Sequence, residues 1–243
     1  MRRSSGAWIG VVILVAGFSC PGLAGQSLLD QGKEAFKAQR YGEVIELLGK
    51  YLQNQPDSVE ARRYRVQALA RLGYPEEALT EVNQGLKQRP NEISLLLLKG
   101  GLLGELSRRK EAIEVFSQVL RADPQNGEAL KERGANLANE GKIGAAMRDL
   151  NRAVKLLPND PWAFNHRGMA WLCQNKYQTA LNDFSTAIKL RPDLPHAYFF
   201  RGNLYLHHMN RPDKALVDFK EGCRLGHPLC CQEVEKLAGN EPE

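Results

Sequence analysis

The 243-residue sequence is poor in aromatics, at 7%, and has no long apolar run; Ala7 to Phe18, at 12 residues, is its longest. A helix crossing a bilayer needs about 20 apolar residues, so a bundle of membrane spans is excluded. HExxH, CxxC and other paired ligand spacings are missing, which removes the common helical zinc sites. His166, His196, His207 and Cys173 crowd the last third of the chain without such a spacing, and no metal is expected there. There is no glycine loop to cradle phosphate, no nucleophile elbow and no recognisable carboxylate pair. The expectation is a protein that is not an enzyme and carries no cofactor.

Charge of one sign is lacking too. The formal charge is +5, and Arg2 and Arg3 account for two of it, leaving +3 on the rest. Those bases alternate with acids, as in Arg108-Arg109-Lys110-Glu111 and Lys131-Glu132-Arg133. That is a solvated helix face rather than a stripe that tracks phosphates, so no nucleic-acid partner is expected.

What is present begins with the N-terminus. Two arginines, the apolar run and a small-residue stretch holding Pro21, Gly22, Ala24 and Gly25 follow the order of a secretory signal peptide. Residues 1–25 are read as that signal, cleaved after Ala24 or Gly25, or as an uncleaved N-terminal anchor and so a membrane tether. Ser19-Cys20 leaves a third route open, lipidation of Cys20, against which stand Gly17 and the bulky Phe18. Each route exports the chain. In a bacterium the destination is the periplasm or the outer-membrane face; elsewhere it is the secretory pathway.

Proline then recurs every 34 residues, at Pro56, Pro90, Pro124, Pro158 and Pro192. With proline at about 5% of residues, four further hits at one spacing have a chance probability of about 10⁻⁵. Between prolines the apolar residues follow helical spacing in two segments of about 13 residues. Ile93, Leu96, Gly100 and Leu103 form one face; Ala112, Phe116 and Val119 form the next; Asp123-Pro124 stops it. Leu130, Phe164 and Tyr198 then replace Leu96, and Gly134, Gly168 and Gly202 repeat Gly100. Small residues stand where helices cross closely and large ones where they interdigitate.

Glycine, a large residue three later, alanine nine after that, then a large residue, a small one and proline: the pattern resembles the tetratricopeptide repeat. The resemblance implies an all-α, right-handed superhelical solenoid of about six helix-turn-helix units with a C-terminal capping helix. The units fall at about 26–58, 59–92, 93–126, 127–160, 161–194 and 195–226, and residues 227–243 form the cap and tail. Val66 stands where glycine is usual, and Ala215, Phe219 and Gly222 lie 35 rather than 34 residues after their counterparts, so the turn from His207 to Pro212 holds one extra residue. Asp149 with Arg167, and Asp183 with Arg201, each 18 apart, are expected to pair between successive units.

In an oxidising compartment Cys223 is expected to bond Cys230 or Cys231 across the Gly226-His227-Pro228 turn, with free buried thiols as the alternative. The layout resembles the staple of related cysteine-bearing helical repeats. The family's inner wall implies a binding surface for a protein or an extended peptide. Here it is placed at Trp162, Asn165, His166, Met169, His196, Phe199, Phe200 and Asn203, where aromatics offer pockets and amides can meet a peptide backbone. The alternative is that Phe199 and Phe200 pack on the cap and Trp162 closes a helix start. The cation set with which some repeats grip acidic chaperone tails is not assembled: the corresponding places hold Leu29, Lys33, Tyr64, Ser94 and Leu98, or Lys131, Ala135, His166, His196 and Phe200. The function expected is a scaffold or adaptor for protein partners in the cell envelope. The alternative is a regulatory subunit that docks on an envelope enzyme such as a cell-wall hydrolase.

Overall fold

The computed structural model describes residues 21–238, with side chains from Leu28 onward. Cys20 and the apolar run Ala7 to Phe18 lie outside the described residues. Among those residues the regular elements are all α-helices. They are α1 (Pro21–Lys37), α2 (Tyr41–Asn54), α3 (Val59–Arg71), α4 (Pro75–Gln88), α5 (Ile93–Glu105), α6 (Arg109–Ala122), α7 (Gly127–Asn139), α8 (Ile143–Leu156), α9 (Pro161–Leu172), α10 (Tyr177–Leu190), α11 (Pro195–His208), α12 (Pro212–Arg224) and α13 (Pro228–Ala238). No helix among the described residues is long and apolar enough to cross a membrane. Each helix packs on the next, and α1, α3, α5, α7 and α9 also touch in succession, so the odd-numbered helices build one wall of a solenoid.

The proline period sets the joints between hairpins. Two residues past each of the first four prolines stands a capping side chain: Ser58 accepts from the Ala61 amide, Glu92 from Ser94, Asn126 from Ala129 and Asp160 from Trp162. Proline ends one helix, and the cap satisfies an amide that the next would leave open. After Pro192 the same place holds Leu194, which caps nothing through its side chain and is buried instead.

A second ladder marks the turns inside the hairpins. Gln39, Gly73, Ser107, Gly141, Asn175 and Asn210 all have positive φ, between 51° and 81°. In the first five the amide that follows bonds back five residues, as Lys176 does to the Trp171 carbonyl; in the sixth, Arg211 reaches six residues back to Tyr205. That longer ring holds the inserted residue.

Glycine lets the two helices of a hairpin close. A Cβ at Gly100 would stand 2.6 Å from the Phe116 ring, and the same clash recurs for Gly134 with Leu150, Gly168 with Phe184 and Gly202 with Phe219. Phe116, Phe184 and Phe219 are among the largest fully buried side chains. Where Val66 replaces glycine, the residue 16 positions on is Val82 rather than Phe or Leu, and both are fully buried. The added volume on α3 is offset by a smaller knob on α4.

The arginine–aspartate pairs run differently from the expectation. Arg167 pairs with Asp183, Arg133 with Asp149 and Arg201 with Asp218, all within one hairpin. The neighbouring unit is reached by the other guanidinium nitrogen: Nη1 of Arg133, Arg167 and Arg201 donates to Ser117, Asn151 and Ser185. The carboxylate on the second helix lies opposite the arginine 16 or 17 residues before it, and the longer Glu81 keeps the same pairing with Arg65. The seam between units falls instead to the residue two positions further along the same helix.

At the C-terminal end α13 packs on α12, and Cys223 is bonded to Cys231 across the turn. Cys230 is free and fully buried, its sulfur filling the space that Gly222 leaves open beside Phe219 and Ala215.

Candidate functional site

The odd-numbered wall encloses a groove of about 1080 Å³ that reaches from Phe36 on α1 to Trp162 and His166 on α9. Its floor comes from α5, where Leu97 and Leu98 turn half-buried side chains to the opening. Beside them a Cβ on Gly101 would meet nothing within 4 Å, so a guest can approach the backbone closely there. Asn136 on α7 donates its amide to the Glu132 carbonyl at 2.8 Å.

Charge divides this groove along its length. Arg63 and Arg71 of α3 border one end of the floor, and Glu105, Glu128 and Glu132 border the other. Among the described residues neither arginine is in an ion pair, whereas Lys131 is held by Asp160 at 2.9 Å and Glu132 at 3.3 Å. A guest therefore meets cations, then leucine, then carboxylates.

The wall expected between Trp162 and Asn203 splits into four groups. Trp162 and His166 face the groove, their rings stacked with centroids 5.8 Å apart. Asn165 does not: it is 1% exposed, with its amide nitrogen near the Met169 sulfur. Met169 and Phe200 pack against one core cluster of Ala180, Phe184 and Leu204, Phe200 stacking across the seam on Phe184 of the preceding unit. Phe199 stacks on His227 of the cap turn at 4.7 Å, His196 meets the edge of the same ring, and Asn203 gives its amide to the Phe199 carbonyl. This stretch ties the last unit to its cap, with half-buried rings left over.

Burial pushes the His166 imidazole down to about 4; Lys131 and His196 add to the effect and Asp160 opposes it. His227 is lowered by burial and by His196. Among the described residues no cluster of histidine, cysteine, aspartate or glutamate is arranged to hold a metal.

Sequence reasoning missed Arg63, Leu97, Leu98, Glu128 and Glu132, although they occupy the register of Trp162, Asn165 and His166 one to three units earlier. The period places them on the same wall; the aromatics of the later units carry the stronger chemical signal.

Family models described as tetratricopeptide repeat match residues 35–101 and 97–161, and one described as TPR repeat matches 173–208. This chain belongs to the tetratricopeptide repeat family. Among solved structures, PilF of Pseudomonas aeruginosa superposes with a TM-score of 0.72 at 16% identity, over 90% of this chain and 99% of that one. MamA of Desulfovibrio magneticus RS-1 gives 0.56 at 24%, over 68% and 92%. YrrB, described as a TPR protein with an unusual peptide-binding site, gives 0.54 at 21%, over 78% and 97%. At these identities the likeness is one of fold. No curated protein sequence matches the chain. As a tetratricopeptide repeat protein it is a scaffold for protein–protein interaction.

Proposed function

We propose that this protein is an exported, non-enzymatic adaptor that captures an extended peptide segment of a partner in the groove between α3, α5 and α7. The observation that carries this is the order of chemistry along the groove: Arg63 and Arg71, the leucine floor, then Glu105, Glu128 and Glu132. An acidic residue or a terminal carboxylate of the guest suits the arginines, apolar side chains suit Leu97 and Leu98, and a basic residue suits the glutamates. A stacked solenoid presents such a surface largely preformed. The peptide-binding site described for YrrB supports the same use of the fold.

Export is supported by the order of residues 1–25 and by the Cys223–Cys231 bond, which suits an oxidising compartment. A C-terminal reporter that is active only outside the cytoplasm tests this part on its own. The groove is tested with a displayed peptide library. Enriched peptides should carry acid, apolar and basic residues in that order, and Leu98→Asp should weaken them by roughly tenfold or more. Enrichment unaffected by Leu98→Asp, yet lost on Phe200→Ala, would move the site to the C-terminal wall.

A further inference from the structure

Acids alternate with bases along the chain, but not over its surface. From Gly141 to Pro158, and again from Cys173 to Pro192, the only acids are Asp149 and Asp183. Both are buried and held by Arg133 and Arg167 of the odd-numbered wall. The exposed charges of α8 and α10, counting the residues that cap them, are therefore of one sign: Lys142, Arg148, Arg152 and Lys155, then Lys176, Lys189 and Arg191. Among the described residues none of these is in an ion pair. Arg152 gives one N–H to the Pro124 carbonyl and Lys176 lies over the Trp171 ring, which leaves both charges uncompensated. Arg148, Arg152 and Lys155, at i, i+4 and i+7, share one stripe of α8.

Two exposed leucines stand at the same end of the same two helices. Leu156 is 40% exposed and Leu190 36%, each directly after a lysine of the last turn. They are 34 residues apart and so occupy one place in successive units. In the three preceding units that place holds Asn54, Gln88 and Ala122; in the sixth it is Leu225, half-buried at the turn into α13. A single exposed leucine needs no explanation. Here two are exposed side by side, on the helices whose outer faces lack acids. The face is bounded on both sides, since Glu111 and Glu114 are exposed on α6 and Asp213 at the start of α12.

We propose that the outer face of α8 and α10 is a docking surface for an anionic lipid bilayer, with the cations against the headgroups and Leu156 and Leu190 entering the interfacial layer. Basic side chains are drawn to an anionic leaflet and apolar ones enter it, and the two act together where either alone binds weakly. A polynucleotide would engage the same cations, but a pair of aliphatic side chains adds nothing to phosphate contacts or base stacking. None of these residues lines the groove described above, so a guest can be held there while this face lies on a membrane. The docking surface does not depend on peptide capture.

Sedimentation of the full chain with vesicles of phosphatidylcholine alone, and of an equal mixture of phosphatidylcholine and phosphatidylglycerol, tests this. The wild type is expected to bind the mixed vesicles about tenfold or more tightly, and less so as salt is raised. Lys155→Glu combined with Lys189→Glu should weaken that binding about tenfold or more, and Leu156→Gln combined with Leu190→Gln about fivefold. Lys87→Glu changes the same last-turn place on α4, away from this face, and should leave binding within about twofold of the wild type. All these side chains are exposed, so helicity should match the wild type throughout. Residues 1–25 are common to every variant, and hydrogen exchange adds a local reading: mixed vesicles should slow the amides of the turns that follow α8 and α10.

Equal binding to both kinds of vesicle overturns the proposal, as does exchange that stays unchanged in those turns. So does undiminished binding when both lysines are replaced, or an equal loss in Lys87→Glu. Loss on replacing the lysines but not the leucines overturns the lipid assignment, and binding of duplex DNA that falls in parallel would name a polynucleotide instead.

Discussion

Arg167 and Asp183, 16 residues apart on α9 and α10, are joined by two parallel bonds of 2.8 and 2.7 Å. The aspartate side chain is 6% exposed and the arginine 19%. This geometry differs from an exposed surface pair, whose net contribution is about 0–1 kcal/mol. Asp183→Ala leaves a largely buried guanidinium without its partner and should destabilise the protein by about 2–4 kcal/mol. Asn151→Ala removes the weaker 3.3 Å contact to the preceding unit and should cost about 0.5–1.5 kcal/mol. Urea midpoints of the two variants check the ranking; equal losses would mean that the seam, not the hairpin, holds the arginine.

The turn ladder predicts opposite effects of the same residue type. Ser107 has φ of 58° and Gly73 has φ of 81°, in equivalent turns of adjacent hairpins. A side chain in the left-handed region costs roughly 1 kcal/mol, partly offset by the greater chain entropy of glycine when unfolded. Ser107→Gly should stabilise by about 0.5 kcal/mol and Gly73→Ala should destabilise by about 1 kcal/mol. Thermal unfolding of both variants reads the signs directly.

Reduction should act locally. The Cys223–Cys231 bond closes a loop eight residues long and ties α13 to α12, so its loss should cost about 2–3 kcal/mol and expose amides of α13 first in hydrogen exchange. Burial, with Asp218 and Glu233 adding to it, pushes the Cys230 thiol up to about 11. A thiol that stays protonated is a poor nucleophile, so the bond should not migrate to its vicinal neighbour. In the native oxidised protein an alkylating agent should mark exposed Cys173 and spare Cys230. Ready labelling of Cys230 would mean that the cap opens without reduction.

The features legible in the sequence are those that repeat. Proline, the crossing glycines and the large residues opposite them recur at fixed spacing, which sets the phase of each helix and even locates the residue inserted before Pro212. What spacing alone does not decide was misplaced. The partner of Arg167 could not be chosen by spacing, because Asp149 and Asp183 lie 18 residues behind it and 16 ahead of it, and both separations join adjacent helices. The inner-wall register was visible, but which units leave it open depends on what covers them. Phe199 looks like a binding residue until His227, from a turn outside the period, is stacked on it. Leu98 stood in the inner-wall register with Leu97 beside it, but a leucine carries no sign of whether the face it occupies is open.

His166 makes stability depend on acidity in a known direction. Its folded pKa is about 4, against a usual value of 6.5, because burial disfavours the imidazolium and Lys131 and His196 repel it more than Asp160 attracts it. Above pH 6.5 the ring is neutral in both the folded and the unfolded chain, so folding is not penalised. As pH falls from 6.5 toward 4 the unfolded chain takes up a proton that the folded chain refuses, and stability is lost across that window; below it both forms are protonated and this contribution stops changing. The full shift corresponds to about 3 kcal/mol, an upper bound for a side chain that keeps some contact with solvent. His227, lowered by burial and by His196, adds a loss of the same sign. Urea midpoints followed through the window should fall less steeply for His166→Gln than for the wild type. An unchanged slope would assign the acid sensitivity in this window to another group such as His227; Asp160, whose pKa is lowered by its bond to Lys131 against the opposing pull of burial, gives up its contribution only below about pH 4.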